Sequence, residues 1–481
     1  MSSVHKLSPN SLELNGEKLN VPSIFEKALS EAKKLDFVRL ANGVKVVDKI
    51  YRVYTINDLI PKLKGNVYSI GKKNKVFYFN NEFWQEATHQ ELDDFLQLYS
   101  EKCGVSFTIY KDFKYREALY NQFTSEVREK VEVINYDVVN LNLKNGTLKV
   151  ENGVSKLGSF DRSDYLHYQL PFDYDPKAEC PMWLKFLNQS IPETEQQMML
   201  SEYLGTVFLR NQATVNKSEK ILALKGEGSN GKGVIMEVLI GVFGKENVTT
   251  FSLESLTSND QTRARIENKL LNISGETKTH IKNDAILKTM ASGEGLEARL
   301  LYENPRVIND YAKIIVNLNK DITGGDGTHS FFRRFMYFPM ENTVAEEDKD
   351  KMLAKKIIAS ESAGVLNWIL EGLKRYMEAE GMFTNSEAVD RALNNFKLND
   401  NKALTFLMEE DFEVGSQRIS LQDLYHQFLE WCKSSGINHK YTKQTFGKKL
   451  EGAKFNGKEI EKRNRGGKFT TTTLNISKRS Y

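Results

Sequence analysis

The chain has 481 residues, 40% of them hydrophobic and 27% charged, a composition typical of a folded protein with room for about three domains. The polar segment after Met1 and the short, interrupted apolar run at 233–244 lead us to expect neither a signal peptide nor a membrane span. Cys103, Cys180 and Cys432 are far apart and outside any paired spacing. This favours a reducing, cytoplasmic compartment and argues against a structural zinc site.

Positive charge is concentrated at the C-terminal end. The whole chain has a net charge of only +3. Residues 433–481 contain thirteen lysines and arginines and three acidic residues, a local net charge of +10. A basic end on a near-neutral body favours a localised polyanion-binding patch.

Short helix and strand patterns alternate in the first part of the chain. Residues 26–35 and 89–101 have the periodicity of amphipathic helices, and residues 75–84 that of a strand hairpin. Residues 140–153 predict a second hairpin around an Asn-Gly turn. A further helix is predicted over residues 196–209, before the next strand.

The middle of the chain predicts a largely parallel sheet. A helix closed by Gly244 follows the first strand, and strand and helix patterns continue to alternate, which is typical of such sheets with flanking helices. The predicted strands are 220–226, 269–274, 312–319 and 335–340.

The remaining sequence is mostly helical. Residues 346–382 have a strong helical pattern, and the polar stretch 385–402 is the best linker candidate. The last 80 or so residues predict two helices and then a strand pair with a glycine turn.

Residues 226–234 read GEGSNGKGV, which fits the G-x-x-x-x-G-K pattern of a phosphate-binding loop. Gly233 stands where a hydroxyl residue usually contacts Mg²⁺. A strand ends before the loop and a helix opens at about Lys232, which would aim backbone N–H groups at a polyphosphate. A plain strand–turn–helix corner, the alternative, would not favour a lysine where the helix dipole repels it. The expected nucleotide contacts are Gly226, Gly228, Ser229, Asn230, Gly231, Lys232, Gly233 and Val234.

Three further features follow the loop in the order that ATP hydrolysis would need. Glu276 comes after a strand and could reach Mg²⁺ and the attacking water, although a surface glutamate there is equally common. Asn319 ends the next strand and could contact the γ-phosphate, with a turn-forming Asn as the alternative. Arg333 and Arg334 precede the last strand, where one could serve as an arginine finger or both could simply be solvated.

Together these motifs resemble the superfamily-3 helicases of the phage, plasmid and poxvirus primase-helicase family. The resemblance runs from about Asn140 to the C-terminus and includes LKGEGSNGKGV, ASGEGLEARLLYENP, KIIVNLN and FFRRFMYFPM. It implies an AAA+ core, ATP and Mg²⁺, a homo-hexameric ring and 3′→5′ translocation on DNA. The roles it implies are phosphate contact for Lys232, water polarisation and metal binding for Glu276, γ-phosphate sensing for Asn319, and the finger for Arg334 with Arg333 as the fallback.

The resemblance also implies two DNA-binding segments. Residues 298–311 occupy the place of a hairpin that lines the central channel, with a solvated turn as the alternative. The basic tail would form a winged helix, with 439–453 as recognition helix and 462–469 as wing, or else a solvated surface of nonspecific affinity. The expected contacts to single- or double-stranded DNA are Arg299, Asn304, Arg306, Lys440, Lys443, Gln444, Lys448, Lys449, Arg463, Arg465 and Lys468.

The expected fold is an α/β P-loop core of AAA+ type with an α+β N-terminal region and a C-terminal winged helix. Too few residues precede the matched region for a fused primase, so we expect none. The expected units are an N-terminal accessory region (1–115), a pre-helicase α+β domain (116–215), the AAA+ core (216–345), a helical lid or linker (346–390) and the winged-helix domain (391–481).

The expected function is ATP-driven replicative DNA unwinding for a phage or other mobile element, with origin binding by the tail. The N-terminal region is a candidate for docking a loading partner. Two alternatives stay open. One is an origin-binding ATPase switch that does not unwind processively, and the other is a packaging or transport ATPase.

The glycine at 233 yields a first prediction. Gly233→Ser should preserve or tighten Mg²⁺-dependent ATP binding, because a serine hydroxyl is the ligand usually found at this position. ATP titrations of the full chain with and without Mg²⁺ measure this. Loss of hydrolysis in the variant would indicate instead that the backbone must approach the phosphates closely at this residue.

Overall fold

A computed structural model describes the chain over defined ranges, and no helix within them is long and apolar enough to cross a membrane. The described residues are 13–14, 17–18, 22–63, 65–70, 75–128, 138–151, 153–209, 218–228, 230–275, 281–301, 304–322, 329–342, 350–436, 441–455, 458–465 and 471–479.

The N-terminal region is an α+β unit. Its elements are β1 (Glu13–Leu14), β2 (Glu17–Lys18), α1 (Ser23–Glu31), α2 (Phe37–Leu40), α3 (Asp48–Leu63), β3 (Val67–Ile70), β4 (Lys75–Phe79), β5 (Trp84–Ala87), α4 (His89–Lys102), α5 (Phe107–Tyr110) and α6 (Phe113–Glu126). The helices pack around the fully buried Phe25, Phe95 and Tyr99. α4 begins with a Thr88–Glu91 capping box, which satisfies amides of its first turn. The predicted hairpin is present as β4–β5.

A small antiparallel sheet and two helices come next in the chain. These elements are β6 (Val139–Leu143), β7 (Gly146–Glu151), β8 (Val154–Gly158), α7 (Pro181–Ser190) and α8 (Thr194–Gly205). The predicted β6–β7 hairpin is confirmed. α7 starts at a proline, and the Glu361 carboxylate accepts hydrogen bonds from the free N–H groups of Met182 (2.9 Å) and Trp183 (3.0 Å). A negative charge at a helix start is favourable, so Glu361 fixes α7 against the rest of the chain.

The next unit is built on a five-stranded parallel sheet. A largely parallel sheet with four of these strands was predicted, and the short strand β10 was not. Its elements are β9 (Ile221–Lys225), α9 (Lys232–Phe243), β10 (Val248–Thr249), α10 (Leu253–Ser258), α11 (Asp260–Ala264), β11 (Leu271–Ser274), α12 (Asp284–Ser292), β12 (Leu296–Ala298), β13 (Arg306–Ile308), β14 (Lys313–Leu318), α13 (His329–Phe332) and β15 (Phe335–Pro339). The strand order is β10-β11-β14-β9-β15. β10, β11 and β14 therefore lie on one side of β9, and β15 lies on its other side. A crevice for a ligand forms where the order reverses, at the carboxyl end of β9.

Hydrophobic layers cover both faces of this sheet. Leu222 and Leu224 of β9 pack with α9 in one layer, and Ile221 and Ala223 pack in the other. The long helix α14 (Leu353–Glu378) lies against α8 in the first layer. A Cβ at Gly372 would lie 2.3 Å from the α8 backbone, so a glycine is needed for this close approach.

The stretch 385–402, predicted as a linker, instead contains α15 (Glu387–Asp400). Phe396 is buried, and its ring stacks on that of Tyr337 with centroids 4.6 Å apart. The prediction was wrong because the helix has only a narrow apolar stripe, Val389, Leu393 and Phe396, in an otherwise polar sequence.

The C-terminal region has its own core around Phe406, Phe428 and Phe446. Its elements are α16 (Lys402–Glu409), β16 (Phe412–Ser420), α17 (Leu421–Ser434), α18 (Lys443–Leu450), β17 (Lys454–Phe455), β18 (Lys458–Glu459), β19 (Lys462–Arg465) and β20 (Thr471–Lys478). β16, β20 and β19 form an antiparallel sheet in that order. The sequence patterns missed β16, which pairs with the last strand.

Candidate functional site

The GEGSNGKGV loop leaves the carboxyl end of β9 at the reversal point of the sheet and runs into α9. Gly228 and Gly231 have positive φ angles of 48° and 84°. Side-chain-bearing residues avoid this backbone region, so the loop shape itself selects glycine there. Successive N–H groups in such a turn can converge on one anion, and the start of α9 adds a positive dipole end.

Contacts explain two of the other glycines and leave a third unexplained. A Cβ at Gly226 would lie 1.9 Å from the Asn230 amide nitrogen and 2.4 Å from the Met340 carbonyl oxygen. Gly231 is packed against α7, since its Cβ would lie 2.8 Å from Ser190 Oγ. At Gly233 no atom of the described part of the chain lies within 4 Å of a Cβ. Local packing therefore leaves room for a side chain at Gly233.

Lys232 lies inside the loop and is only 4% exposed. Its ammonium donates to the Gly226 carbonyl and to Asn230 Oδ1 (3.1 Å). Asn230 in turn donates to the Met340 carbonyl, 2.7 Å away. Val234, the last residue of the motif, packs its half-buried side chain against the core under α9. The loop is thus folded around a buried cation, which suits it to a polyphosphate.

A cleft of about 480 Å³ opens beside the loop, a volume in the range of small-molecule sites. On its floor Lys225 Nζ donates to the Asn319 carbonyl (2.8 Å) and pairs with Asp321 (3.1 Å). Tyr337 donates to the same carboxylate at 2.5 Å. Burial, reinforced by Asp321, raises the pKa of Tyr337 above its usual value. Phe396 of α15 also lines the cleft, stacked on Tyr337, so aromatic and charged side chains lie next to each other there.

Two asparagines of the β14 segment carry buried oxygens. Asn319 follows β14, and its Oδ1 has no hydrogen-bond partner within the described part of the chain. The same holds for Asn317 Oδ1, on the same face of the strand. Sequence reasoning selected Asn319 and missed Asn317, although the alternation N-L-N after an apolar run was a usable signal.

Two residues expected at this site, Glu276 and Ser229, lie outside the described residues. The strand that was expected to carry Glu276 is present as β11 and ends at Ser274, which is buried. β11 is parallel to β14, so its carboxyl end lies at the same edge of the sheet as the loop. The role of Glu276 stays a prediction.

Arg333 and Arg334 lie at the opposite, amino end of the sheet, and they differ in environment. Arg334 is 8% exposed and forms an ion pair with Glu219. Arg333 is exposed, and its carbonyl accepts a hydrogen bond from Lys220 Nζ (2.7 Å). Burial and the positive charges of the two arginines lower the pKa of Lys220. Of the two, only Arg333 is free to reach another molecule.

The predicted hairpin in 298–311 is present as the antiparallel pair β12–β13. Asn304 is exposed in its connection, and Arg299 is partly exposed beside Asp260, with Nε 3.2 Å from the carboxylate. Arg306 instead forms a bidentate ion pair with Glu267, which Lys75 of β4 also contacts at 3.2 Å. Arg306 therefore anchors the base of the hairpin and is not presented to solvent as expected.

The basic tail presents part of the expected surface on α18. Lys443, Gln444 and Lys448 are exposed, whereas Lys449 is half-buried and its carbonyl accepts from Asn401 Nδ2 (2.8 Å). Arg463 on β19 is exposed and pairs with Glu461 at 3.4 Å. Arg465 ends β19. Lys440, Lys468 and the side chain of Arg465 are not among the described groups.

Three family profiles match separate parts of the chain. Residues 72–192 match a family described as D5 N terminal like, and residues 398–477 one described as Poxvirus D5 protein-like. The resemblance to the phage and viral superfamily-3 helicase-primases is confirmed. Residues 224–334, which hold the loop, match a family of unknown function, DUF5906. The first match begins well before Asn140, so this helicase-primase likeness includes part of the N-terminal region.

Individual relatives are distant. The mimivirus protein "Putative helicase L207/L206" of Acanthamoeba polyphaga mimivirus is 21% identical over 421 residues. The alignment covers 80% of this chain but 42% of that relative, so the chain spans less than half of its length. An apo structure of the NrS-1 C-terminal region is 15% identical, with a TM-score of 0.49 over 88% of this chain and 98% of that one. A second apo structure of this region has a TM-score of 0.45 at 14% identity, over 89% and 99% of the two chains.

The Lys75–Glu267–Arg306 contact predicts a pH-dependent stability. Burial alone would raise the pKa of Glu267, but hydrogen bonds and charges from Arg306 and Lys75 hold it below its ordinary 4.5. The stabilisation is therefore present above pH 4.5 and lost as the pH falls through the lower folded-state pKa. Glu267→Gln should lower the free energy of unfolding at pH 7 by about 3 kcal/mol, and the deficit should shrink in acid. Urea unfolding of wild type and variant, at pH 7 and at an acidic pH below 4.5, measures the difference in their free energies of unfolding.

Glu86→Gln is the matched control for this experiment. Glu86 also lies 3.2 Å from Lys75, but its side chain is 48% exposed, so its loss should cost less than about 1 kcal/mol. Equal effects of the two substitutions would contradict the assignment of Glu267 as the anchor.

Proposed function

We propose that this chain is an ATP-dependent replicative DNA helicase of a phage or other mobile element, built on an AAA+ core. The observation that carries the proposal is the glycine loop folded around the buried Lys232, at the reversal point of a five-stranded parallel sheet. A loop of this kind at this place in a parallel sheet is suited to a nucleoside triphosphate. The helicase-primase resemblance favours coupling of hydrolysis to DNA unwinding.

In this proposal the loop amides and Lys232 bind the β- and γ-phosphates. Asn319 senses the γ-phosphate from the end of β14, and Glu276 polarises the attacking water. The base would occupy the cleft that Asp321 and Phe396 help to line. Mg²⁺, when bound with the nucleotide, would neutralise phosphate charge. The open space at Gly233 and the buried oxygens of β14 are compatible with such an ion.

We propose a homo-hexamer in which Arg333, rather than Arg334, completes the neighbouring subunit's site. Arg333 is exposed at a positively charged corner that includes Lys220. Arg334 is held by Glu219 and serves to fix that corner. An arginine added from a neighbour supplies charge stabilisation to the transition state of phosphoryl transfer.

We further propose that the hairpin β12–β13 and the C-terminal region contact DNA. The order helix, strand, two helices and paired strands in 402–478 supports a winged helix in which α18 would be the recognition helix. Its exposed Lys443, Gln444 and Lys448 suit a DNA groove and its phosphates. The resemblance favours 3′→5′ movement and recruitment to an origin.

Strand displacement on a forked DNA with wild type and Lys232→Ala tests this function. The wild type should unwind the fork in an ATP-dependent manner, and Lys232→Ala should not, because the buried ammonium that binds the phosphates is gone. Both proteins should still bind origin DNA. If the wild type binds origin DNA but does not unwind, the helicase proposal is wrong and the ATPase-switch alternative gains support. Removing residues 400–481 should abolish origin binding, which is assigned to the tail, whereas a packaging or transport ATPase would retain its DNA binding.

Mixing two inactive variants tests whether Arg333 acts as an arginine finger between subunits. Arg333→Ala should lower kcat for ATP hydrolysis by about a thousandfold or more. Mixing it with Lys232→Ala should restore part of the hydrolysis, because each variant supplies what the other lacks at a shared interface. Arg334→Ala should instead lower the melting temperature, as should Glu219→Ala. If mixing restores no hydrolysis, Arg333 does not act between subunits.

A further inference from the structure

Two positions that usually hold a metal partner in phosphate-loop enzymes are glycines in this chain. Gly233 occupies the place of the loop hydroxyl, and Gly275 follows β11, where a first acid often lies. At both positions no atom of the described residues lies within 4 Å of a Cβ, so their packing does not require glycine at either position. The space that a hydroxyl and a carboxylate would fill is therefore open at two points.

Strand β14 lies between the strands that lead to these two gaps. Val316 is in register with Ser274 of β11, so the next residues of the two strands, Asn317 and Gly275, are neighbours. On the other side Asn317 is in register with Leu224 of β9, two residues before the phosphate loop begins. Asn317 is thus the residue of the central strand that lies level with the gap at Gly275.

Side-chain direction places Asn317 on the face of the sheet that α9 covers. Ile315, two residues earlier, packs in the layer with α9, and its neighbours Ile314 and Val316 pack in the opposite layer. Because side chains alternate along a strand, the Asn317 side chain lies on the same face of the sheet as Ile315, which is the face that α9 covers. Gly275 follows Ile273 on that same face.

The Asn317 side chain is 7% exposed, yet its Oδ1 has no hydrogen-bond partner within the described residues. A buried acceptor without a partner is unfavourable, because it has lost its hydrogen bonds to water. An amide oxygen kept at this cost, beside a nucleotide site, is suited to a ligand that arrives with the nucleotide. Amide and carboxylate oxygens and water are the partners that Mg²⁺ prefers.

We infer that Asn317 Oδ1 accepts a hydrogen bond from the water shell of the divalent cation that accompanies the nucleotide, in place of the partners absent at Gly233 and Gly275. The inference rests on the proposed nucleotide site. It makes Asn317 a positioning residue for the metal. Asn319, two residues further along the same face, serves the γ-phosphate instead.

Mg²⁺ titrations of the full chain with a fluorescent ADP analogue test this assignment. ADP has no γ-phosphate, so the readout is independent of Asn319 and of hydrolysis. The measured quantity is the Mg²⁺ concentration that gives half of the metal-dependent rise in nucleotide affinity. Asn317→Leu should raise this concentration about tenfold, the lower bound for loss of an outer-shell partner. A rise of less than threefold overturns the inference.

Two further variants keep the result interpretable. Asn142→Leu is the matched control, because Asn142 on β6 is also buried, with an Oδ1 that has no hydrogen-bond partner among the described residues. Asn142 belongs to the antiparallel β6–β7–β8 sheet and not to the sheet that carries the loop, so its replacement should change the melting temperature and leave the Mg²⁺ midpoint in place. If Asn317→Leu does not fold, Asn317→Asp decides. A carboxylate there should lower the midpoint at least threefold, and an unchanged or higher midpoint overturns the inference.

The wild-type titration separates this inference from the proposed function. If the wild type shows no Mg²⁺-dependent binding of the analogue, the proposed nucleotide site itself is wrong. If the wild type binds in a Mg²⁺-dependent way and Asn317→Leu has the same midpoint, only the assignment of Asn317 fails.

Discussion

The buried charge of Lys232 is the constraint on which the core depends. An ammonium out of water is costly unless oxygen atoms surround it. The loop meets this need with the Gly226 carbonyl and Asn230 Oδ1, and Met340, just after β15, holds Asn230 in turn. The phosphate loop and the segment after β15 therefore both contribute to the surroundings of the Lys232 ammonium. A polyphosphate would find this arrangement already formed.

The N-terminal region is connected to the sheet unit by charge. Glu267 lies between Lys75 of β4 and Arg306 of β13, so one carboxylate joins the β3–β4–β5 sheet to the hairpin. Such a contact is specific in geometry, because leaving any one of these buried charges unpaired is unfavourable. The N-terminal region therefore bears on the orientation of the segment proposed to contact DNA.

Strands made of continuous apolar runs were the elements that the sequence predicted best. β9, β11, β14 and β15 are buried on both faces and read as apolar stretches, so their positions were evident. β16 was missed because it contains glycine and polar residues and pairs with a strand some 60 residues later. Two features could not be predicted: Arg334 rather than Arg333 is buried, and Asn317 lies beside Gly275. Both depend on strand pairing between distant segments, which the periodicity of the sequence does not show.

Helix α15 joins two parts of the molecule that sequence patterns treated as separate. Its Phe396 forms one wall of the cleft, and α16, the first helix of the C-terminal region, begins at Lys402, two residues after α15 ends. A ligand that fills the cleft therefore touches the helix that carries the tail. By thermodynamic reciprocity, whatever shifts α15 on ligand binding also links the affinity of the cleft to the tail's partner. Within the described residues, Phe396 is the aromatic side chain of α15 through which a ligand in the cleft would contact this helix.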